Sequence, residues 1–129
     1  MNIPKELKYS KDHEWVKLEG NIATIGITDF AQSQLGDVVF VELPEIGAEF
    51  SAGEGFAVVE SVKAVSDVYA PVAGTVTEAN TTLADAPEVV NQDPYGEGWI
   101  VKLEVADESE LGELMDSDAY EQLIGEGGH

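Results

Sequence analysis

Lys63 is the only basic side chain between Lys17 and Lys102, and it lies in the segment Glu60-Ser61-Val62-Lys63-Ala64-Val65-Ser66-Asp67. A strand pattern runs into this segment and another leaves it, so it reads as a hairpin tip. The turn chemistry is poor, because a favoured two-residue turn uses Asn-Gly or Asp-Gly and here Val-Lys occupies the centre. Two readings of an exposed lysine there stay open. It can be a gatekeeper that keeps a sheet edge from pairing. It can also be an amine held out on a rigid sheet for covalent modification.

No other constellation builds a catalytic site. His13 and His129 are the only imidazoles, and no HExxH, GxSxG or Ser/His/Asp set can be assembled around them. His13, beside Trp15, reads as a satisfied or surface histidine. Gly53-Glu54-Gly55 is not followed by Gly-Lys-Ser/Thr and reads as a turn. Asp116-Ser117-Asp118 opens like a calcium loop, but Glu121 fills the slot that requires glycine. Without cysteine there is no disulfide, thiol nucleophile or thiolate metal site.

The charge excludes further classes. The 129 residues carry 26 acids against 6 bases, a net charge of −20, and every base is a lysine. Lys5, Lys8, Lys11 and Lys17 cluster at the start, leaving Lys63 and Lys102 in an acidic remainder. Such a chain repels phosphate backbones and anionic lipid, so neither nucleic acid nor a membrane is an expected partner. Lack of arginine argues against an enzyme that grips phosphate bidentately. The acid excess has two readings: a solvated surface that keeps the protein monomeric, or a field that also steers it toward basic partners. At 43% hydrophobic the chain is no disordered acid tail, and its length supports a core burying roughly 65–70% of the unfolded surface. It reads as one soluble intracellular domain over 1–129, with 125–129 a frayed tail.

Short runs with period-two alternation must position Lys63. Strands are expected at Trp15–Leu18 (opening the sheet), Ile22–Ile27, Val38–Leu43, Phe56–Ser61, Ser66–Tyr69, Gly74–Glu78 and Trp99–Val105. Thr28 or Asp29 can cap a short helix that ends at Gly36. Pro87 can open a single turn over Ala86–Asn91. In the tail, Leu111, Leu114 and Met115 stand at helical spacing, and Asp116 or Ser117 can cap a second segment carrying Tyr120, Leu123 and Ile124. Trp15, Trp99 and the phenylalanines read as core, and Lys102 as a strand-face cation paired to an acid. The pattern is mainly β, a sandwich or barrel, with Lys63 at the pivot between two strand pairs.

At that pivot the chain closely resembles a known family. Val59-Glu60-Ser61-Val62-Lys63-Ala64, continued by Ser66-Asp67-Val68-Tyr69-Ala70-Pro71-Val72-Ala73-Gly74, is similar to the lipoyl-attachment segment of the glycine cleavage system H proteins. The resemblance extends to Tyr9–Val16, Gly26–Gln32, Leu35–Pro44, Leu83, Val90-Asn91, Pro94-Tyr95, Gly98–Ile100 and Leu114–Asp116, covering residues 6 to 124. The neighbours of Lys63 set it apart from related carriers. Biotin carriers flank the lysine with Met, and lipoyl domains of 2-oxoacid dehydrogenases show Asp-Lys-Ala in a shorter domain.

The resemblance implies a barrel-sandwich hybrid with an added N-terminal segment, a short helix in the N-terminal half and C-terminal helices. It implies lipoate in amide linkage to Lys63, with Glu60, Ser61, Val62 and Ala64 read by the lipoate-attaching enzyme. It implies that Glu14 and Asp67 shelter an aminomethyl-bearing arm. The chain would be a carrier that is not itself a catalyst. Its partners would be a pyridoxal-phosphate glycine decarboxylase (P protein), a tetrahydrofolate-dependent aminomethyltransferase (T protein) and the flavin-containing dihydrolipoyl dehydrogenase (L protein). Its setting would be a bacterial cytoplasm or, for a mature eukaryotic chain, the mitochondrial matrix. A carrier for lipoate relay to other complexes, and an unmodified acidic binding module, are the alternatives.

Overall fold

A computed structural model describes residues 3–125. Nine strands run in chain order: β1 Lys8–Tyr9, β2 Glu14–Glu19, β3 Ile22–Ile27, β4 Val38–Glu42, β5 Glu49–Phe50, β6 Gly55–Ser61, β7 Val65–Tyr69, β8 Gly74–Ala79 and β9 Val101–Val105. Four helices accompany them: α1 Asp29–Leu35, α2 Thr82–Asp85, α3 Val89–Gln92 and α4 Ser117–Gly125, with a 3₁₀ segment at Glu108–Glu113. The strands form two antiparallel sheets, a six-stranded one in the order β1-β2-β3-β9-β8-β5 and a three-stranded one in the order β4-β6-β7. The mainly β, barrel-sandwich reading is what the chain adopts.

The alternating runs became strands because one face of each is apolar and buried. Ile25, Val59, Val72, Leu83, Ile100 and Leu103 are sealed from solvent in the core between the sheets. A second cluster packs Leu7, Tyr9, Trp15 and Tyr120. The Tyr9 and Tyr120 rings stack there at 4.8 Å between centroids. Gly26 lies opposite Trp15 in the β2–β3 register, and a Cβ on it would lie 2.7 Å from the indole nitrogen. The glycine lets the indole lie flat across the strand pair and donate to the Pro94 carbonyl at 2.9 Å.

Several expectations need correction. The sheet opens with β1, not at Trp15; β1 and β5 are two residues long, too short for alternation to reveal them. Trp99 and Ile100 precede β9, although the Ile100 amide still donates to the Ile25 carbonyl at 2.8 Å. Pro87 precedes α3, whose cap is Glu88, and α2 was not anticipated. Leu114 is extended and Met115 exchanges two backbone hydrogen bonds with Tyr9, so the tail's apolar spacing is not one helix. Asp116 does cap α4, its Oδ1 accepting from the Ala119 amide at 2.9 Å. Trp99 is half-buried against the cluster of Leu7, Tyr9, Trp15 and Tyr120, whereas Phe40 is 49% exposed and lies outside the core. Gly125 closes α4, and the rest of the 125–129 tail, with His129, lies outside the described residues.

Candidate functional site: a lysine tip beside an acid-ended cleft

The tip is tight for a reason the Val-Lys pair does not reveal. The Ser61 amide donates to the Ala64 carbonyl at 2.8 Å, closing a turn between β6 and β7. The Ser61 hydroxyl oxygen accepts from the amides of Ala64 at 3.0 Å and Lys63 at 3.3 Å. A buried serine side chain therefore does the work that Asn-Gly does in a primed turn. The Val62 amide donates to the Asp37 carbonyl at 3.0 Å, tying the tip to the chain that follows α1.

Val62 and Lys63 are both exposed at the apex. A Cβ built on Gly36 would lie 3.5 Å from Lys63 Cε, so the lysine stem crosses the C-terminal end of α1. Gly36 has φ +80° and terminates the helix, where glycine takes the left-handed region without a Cβ penalty. At the other end the Thr28 hydroxyl accepts from the Ala31 amide at 3.2 Å, the expected N-cap.

Helix α1 forms one wall of a cleft of about 240 Å³. Phe30, Ala31 and Leu35 line it from the helix, Val59 and Val68 from the three-stranded sheet, and Asp12, Glu14 and Asp67 supply its carboxylates. The fold thus brings together two acids 53 positions apart in sequence. Asp67 is exposed, whereas Glu14 is 1% exposed. Glu14 Oε1 accepts from the Ser10 hydroxyl, and Oε2 accepts from the Tyr69 amide at 3.2 Å. Burial pushes the Glu14 carboxyl up from 4.5 to about 7, and the Asp12 charge adds to the rise; the two hydrogen bonds oppose it.

Glu60 does not join the cleft. It pairs with Phe40 on one side and Val65 on the other, on the solvent face of the three-stranded sheet. Ser61, Val62 and Ala64 surround Lys63 at the turn itself. Lys102 meets Glu78 at 3.4 Å, the only ion pair among the described residues, and lies 5.2 Å over the Trp99 ring. His13 is satisfied, its Nδ1 lying 2.8 Å from the Tyr120 hydroxyl, which also meets Thr28 Oγ1 at 2.7 Å.

Sequence reasoning did not single out Ser10, Phe30, Leu35 or Asn91. The Asn91 side chain accepts from the Val38 amide at 2.8 Å and donates to the Gly36 carbonyl at 2.8 Å and Gln32 Oε1 at 3.0 Å. It pins the end of α1 to the start of β4, directly beneath the lysine stem. No local pattern announces such a residue.

Fold and site together define a carrier-type barrel-sandwich domain, with one free amine on a hairpin tip beside an apolar, acid-ended cleft. Comparison with known proteins sharpens this class. The family description "Glycine cleavage H-protein" matches residues 7–127. The glycine cleavage system H protein of Carboxydothermus hydrogenoformans is 58% identical over 126 residues, 98% of this chain and 97% of that one. That of Symbiobacterium thermophilum is 60% identical over 126 residues, 98% of each. The crystal structure of a glycine cleavage system H protein from Mycobacterium marinum superposes with a TM-score of 0.88 at 40% identity, covering 95% of this chain and 99% of that one. The chain belongs to the glycine cleavage H-protein family.

Proposed function

We propose that Lys63 carries lipoate in amide linkage and that the chain is the mobile carrier of the glycine cleavage system, with no catalysis of its own. The observation that carries this reading is the placement of Lys63. Its amine is exposed, outside any ion pair among the described residues, and its stem leads over Gly36 toward an apolar cleft ending at a carboxylate. That chemistry fits a long apolar arm with a cationic end. Lipoate supplies a redox-active disulfide, which this cysteine-free chain lacks.

The chain's own residues supply position and shelter. Ser61 fixes the turn from which the arm swings. Phe30, Leu35, Val59 and Val68 offer an apolar wall that excludes water. Glu14 and Asp67 place carboxyl groups where an aminomethyl cation would rest. Glu60, with Ser61, Val62 and Ala64, forms the surface that the lipoate-attaching enzyme reads. The arm visits the glycine decarboxylase (P protein), the aminomethyltransferase (T protein) and dihydrolipoyl dehydrogenase (L protein) in turn. Weak docking suffices, because the tether keeps effective concentration high. The acidic surface hastens encounter with basic rims. We place the carrier as a single-domain monomer in a bacterial cytoplasm, the setting in keeping with its bacterial relatives. Among the described residues no helix is long and apolar enough to cross a membrane.

The test is intact mass with peptide mapping after exposure to lipoate and a lipoate-attaching enzyme. One lipoyl addition on Lys63, lost in Lys63→Ala, is the expected result. An unmodified Lys63 under conditions that modify a control domain overturns the reading and leaves an acidic interaction module.

A further inference from the structure

We propose that Glu14 is a proton-linked latch: an amine-bearing arm enters the cleft as Glu14 gives up its proton to solvent, so sheltering is coupled to proton release. The inference rests on the carrier reading above and adds the regulation of that same cleft.

Glu14 is the most deeply buried acid among the described residues, and no cation lies within 4 Å of it. Its two side-chain hydrogen-bond partners, the Ser10 hydroxyl and the Tyr69 amide, are neutral donors. An ionised carboxylate in that position lacks a counter-ion, and burial without one favours the neutral acid. The nearby acids do not help, and Lys11, the cation that shares the rear cavity with Glu14, forms no ion pair with it. Asp12 and His13 stand on the turn before β2, Asp67 faces the cleft from β7, and Tyr120 approaches from α4. From α1 the cleft receives only Phe30, Ala31, Gln34 and Leu35, none of which titrates. An ammonium group arriving on the arm is the missing counter-ion. It converts the neutral acid to a carboxylate, one proton leaves, and the ion pair formed holds the arm.

The fold also provides an exit for that proton. Glu14, Asp12 and Ser10 border a second cavity of about 500 Å³ on the other side, where Lys11, Glu113 and Pro71 complete the wall. The Ser10 hydroxyl donates to Glu14 Oε1 and lines this rear cavity. The carboxyl can therefore exchange its proton with water at the rear while the arm fills the front. An oxidised or reduced arm without the amine brings no charge and does not shift the equilibrium, so the latch tells a charged arm from an uncharged one.

The experiment compares lipoylated protein before and after charging by glycine and glycine decarboxylase. Carboxyl carbons are followed by NMR through a pH titration, and loss of the aminomethyl group is timed at each pH. The expected result is a Glu14 midpoint near neutrality in the uncharged protein that falls by at least one pH unit on charging. Protection should weaken by up to about tenfold per pH unit on acidification below that midpoint. In Glu14→Gln the residual protection should be flat with pH. A Glu14 midpoint that is the same in both forms overturns the latch. So does wild-type protection that is independent of pH while Glu14→Gln still lowers it; the sheltering role then survives without the proton coupling. Equal protection in wild type and Glu14→Gln overturns both, and the mass measurement on Lys63 remains an independent check of the carrier reading.

Discussion

Replacing Asn91 by alanine tests whether the roof of the cleft is held from a distance. The substitution deletes three hydrogen bonds at 2.8, 2.8 and 3.0 Å, one accepted from Val38 and two donated to Gly36 and Gln32. Gln32 is a half-buried side chain that can turn to water, so its loss counts for little. The Val38 amide belongs to a buried residue at the bulged end of β4, and Gly36 is half-buried under the lysine stem. A net hydrogen bond contributes about 1 kcal/mol, and a backbone group left partly desolvated adds about as much again. The sum is about 2–3 kcal/mol of stability, with a fall in melting temperature of roughly 5–15 °C for a domain of this size.

Urea unfolding of the lipoylated protein measures this directly. The midpoint should fall while the slope stays constant, because the unfolded chain is unchanged. Asn91→Asp separates the bonds: it keeps an acceptor for Val38 but sets a carboxylate against the Gly36 carbonyl and Gln32 Oε1, so it should be no better than alanine. A loss below about 0.5 kcal/mol in both variants would refute the claim that this side chain pins α1 to β4.

Two further outcomes follow from the same structure. Gly74→Ala places a Cβ 2.5 Å from the Glu104 carbonyl oxygen across the β8–β9 pairing, so it should cost about 1–3 kcal/mol in the same urea assay, and a neutral result would contradict the close approach. Glu14, raised from 4.5 to about 7 in the fold, binds its proton more tightly folded than unfolded. Its stabilisation is therefore complete below about 4.5 and is lost as pH rises through about 7, at up to about 1.4 kcal/mol per pH unit. Glu14→Gln should remove that slope from the unfolding free energy, and an unchanged slope would count against a neutral Glu14.

The strands were legible because each main run has one buried face, and alternation records that directly. Val38, Val41, Val59 and Val68 announce β4, β6 and β7 without any knowledge of their partners. The misses share a different cause. Two-residue strands such as β1 carry too little pattern to read, and Tyr9 is fixed in part by Met115, a contact that no local window contains. Phe40 is aromatic in an alternating run, yet the shift of register between Val38 and Phe40 leaves its ring outside. The turn at Lys63 looked unfavourable because the stabilising group, the Ser61 hydroxyl, lies one residue outside the pair that turn rules inspect. Lys63 itself was visible as an isolated amine, and the resemblance supplied its role. The cleft was not visible at all from composition or periodicity. Its walls come from the N-terminal hairpin, α1 and β7, and the bond between Glu14 and Tyr69 spans 55 positions.

That construction explains why the site sits where it does. The three-stranded sheet by itself offers a lysine on a tip open to water, and a charged arm there would meet solvent on every side. Adding the β1–β2 turn and α1 raises two walls beside the tip without altering the turn, because the contacts between them run through Val62, Gly36 and Asn91 and leave the amine free. The addition also buries Glu14 without a counter-ion, a local conflict that a chain selected for stability alone would remove by Gln or an apolar residue. Its retention is understandable if the counter-ion arrives with the cargo. Asp67 stands exposed to solvent on β7, whereas the buried Glu14 is the acid whose charge can change when an amine arrives.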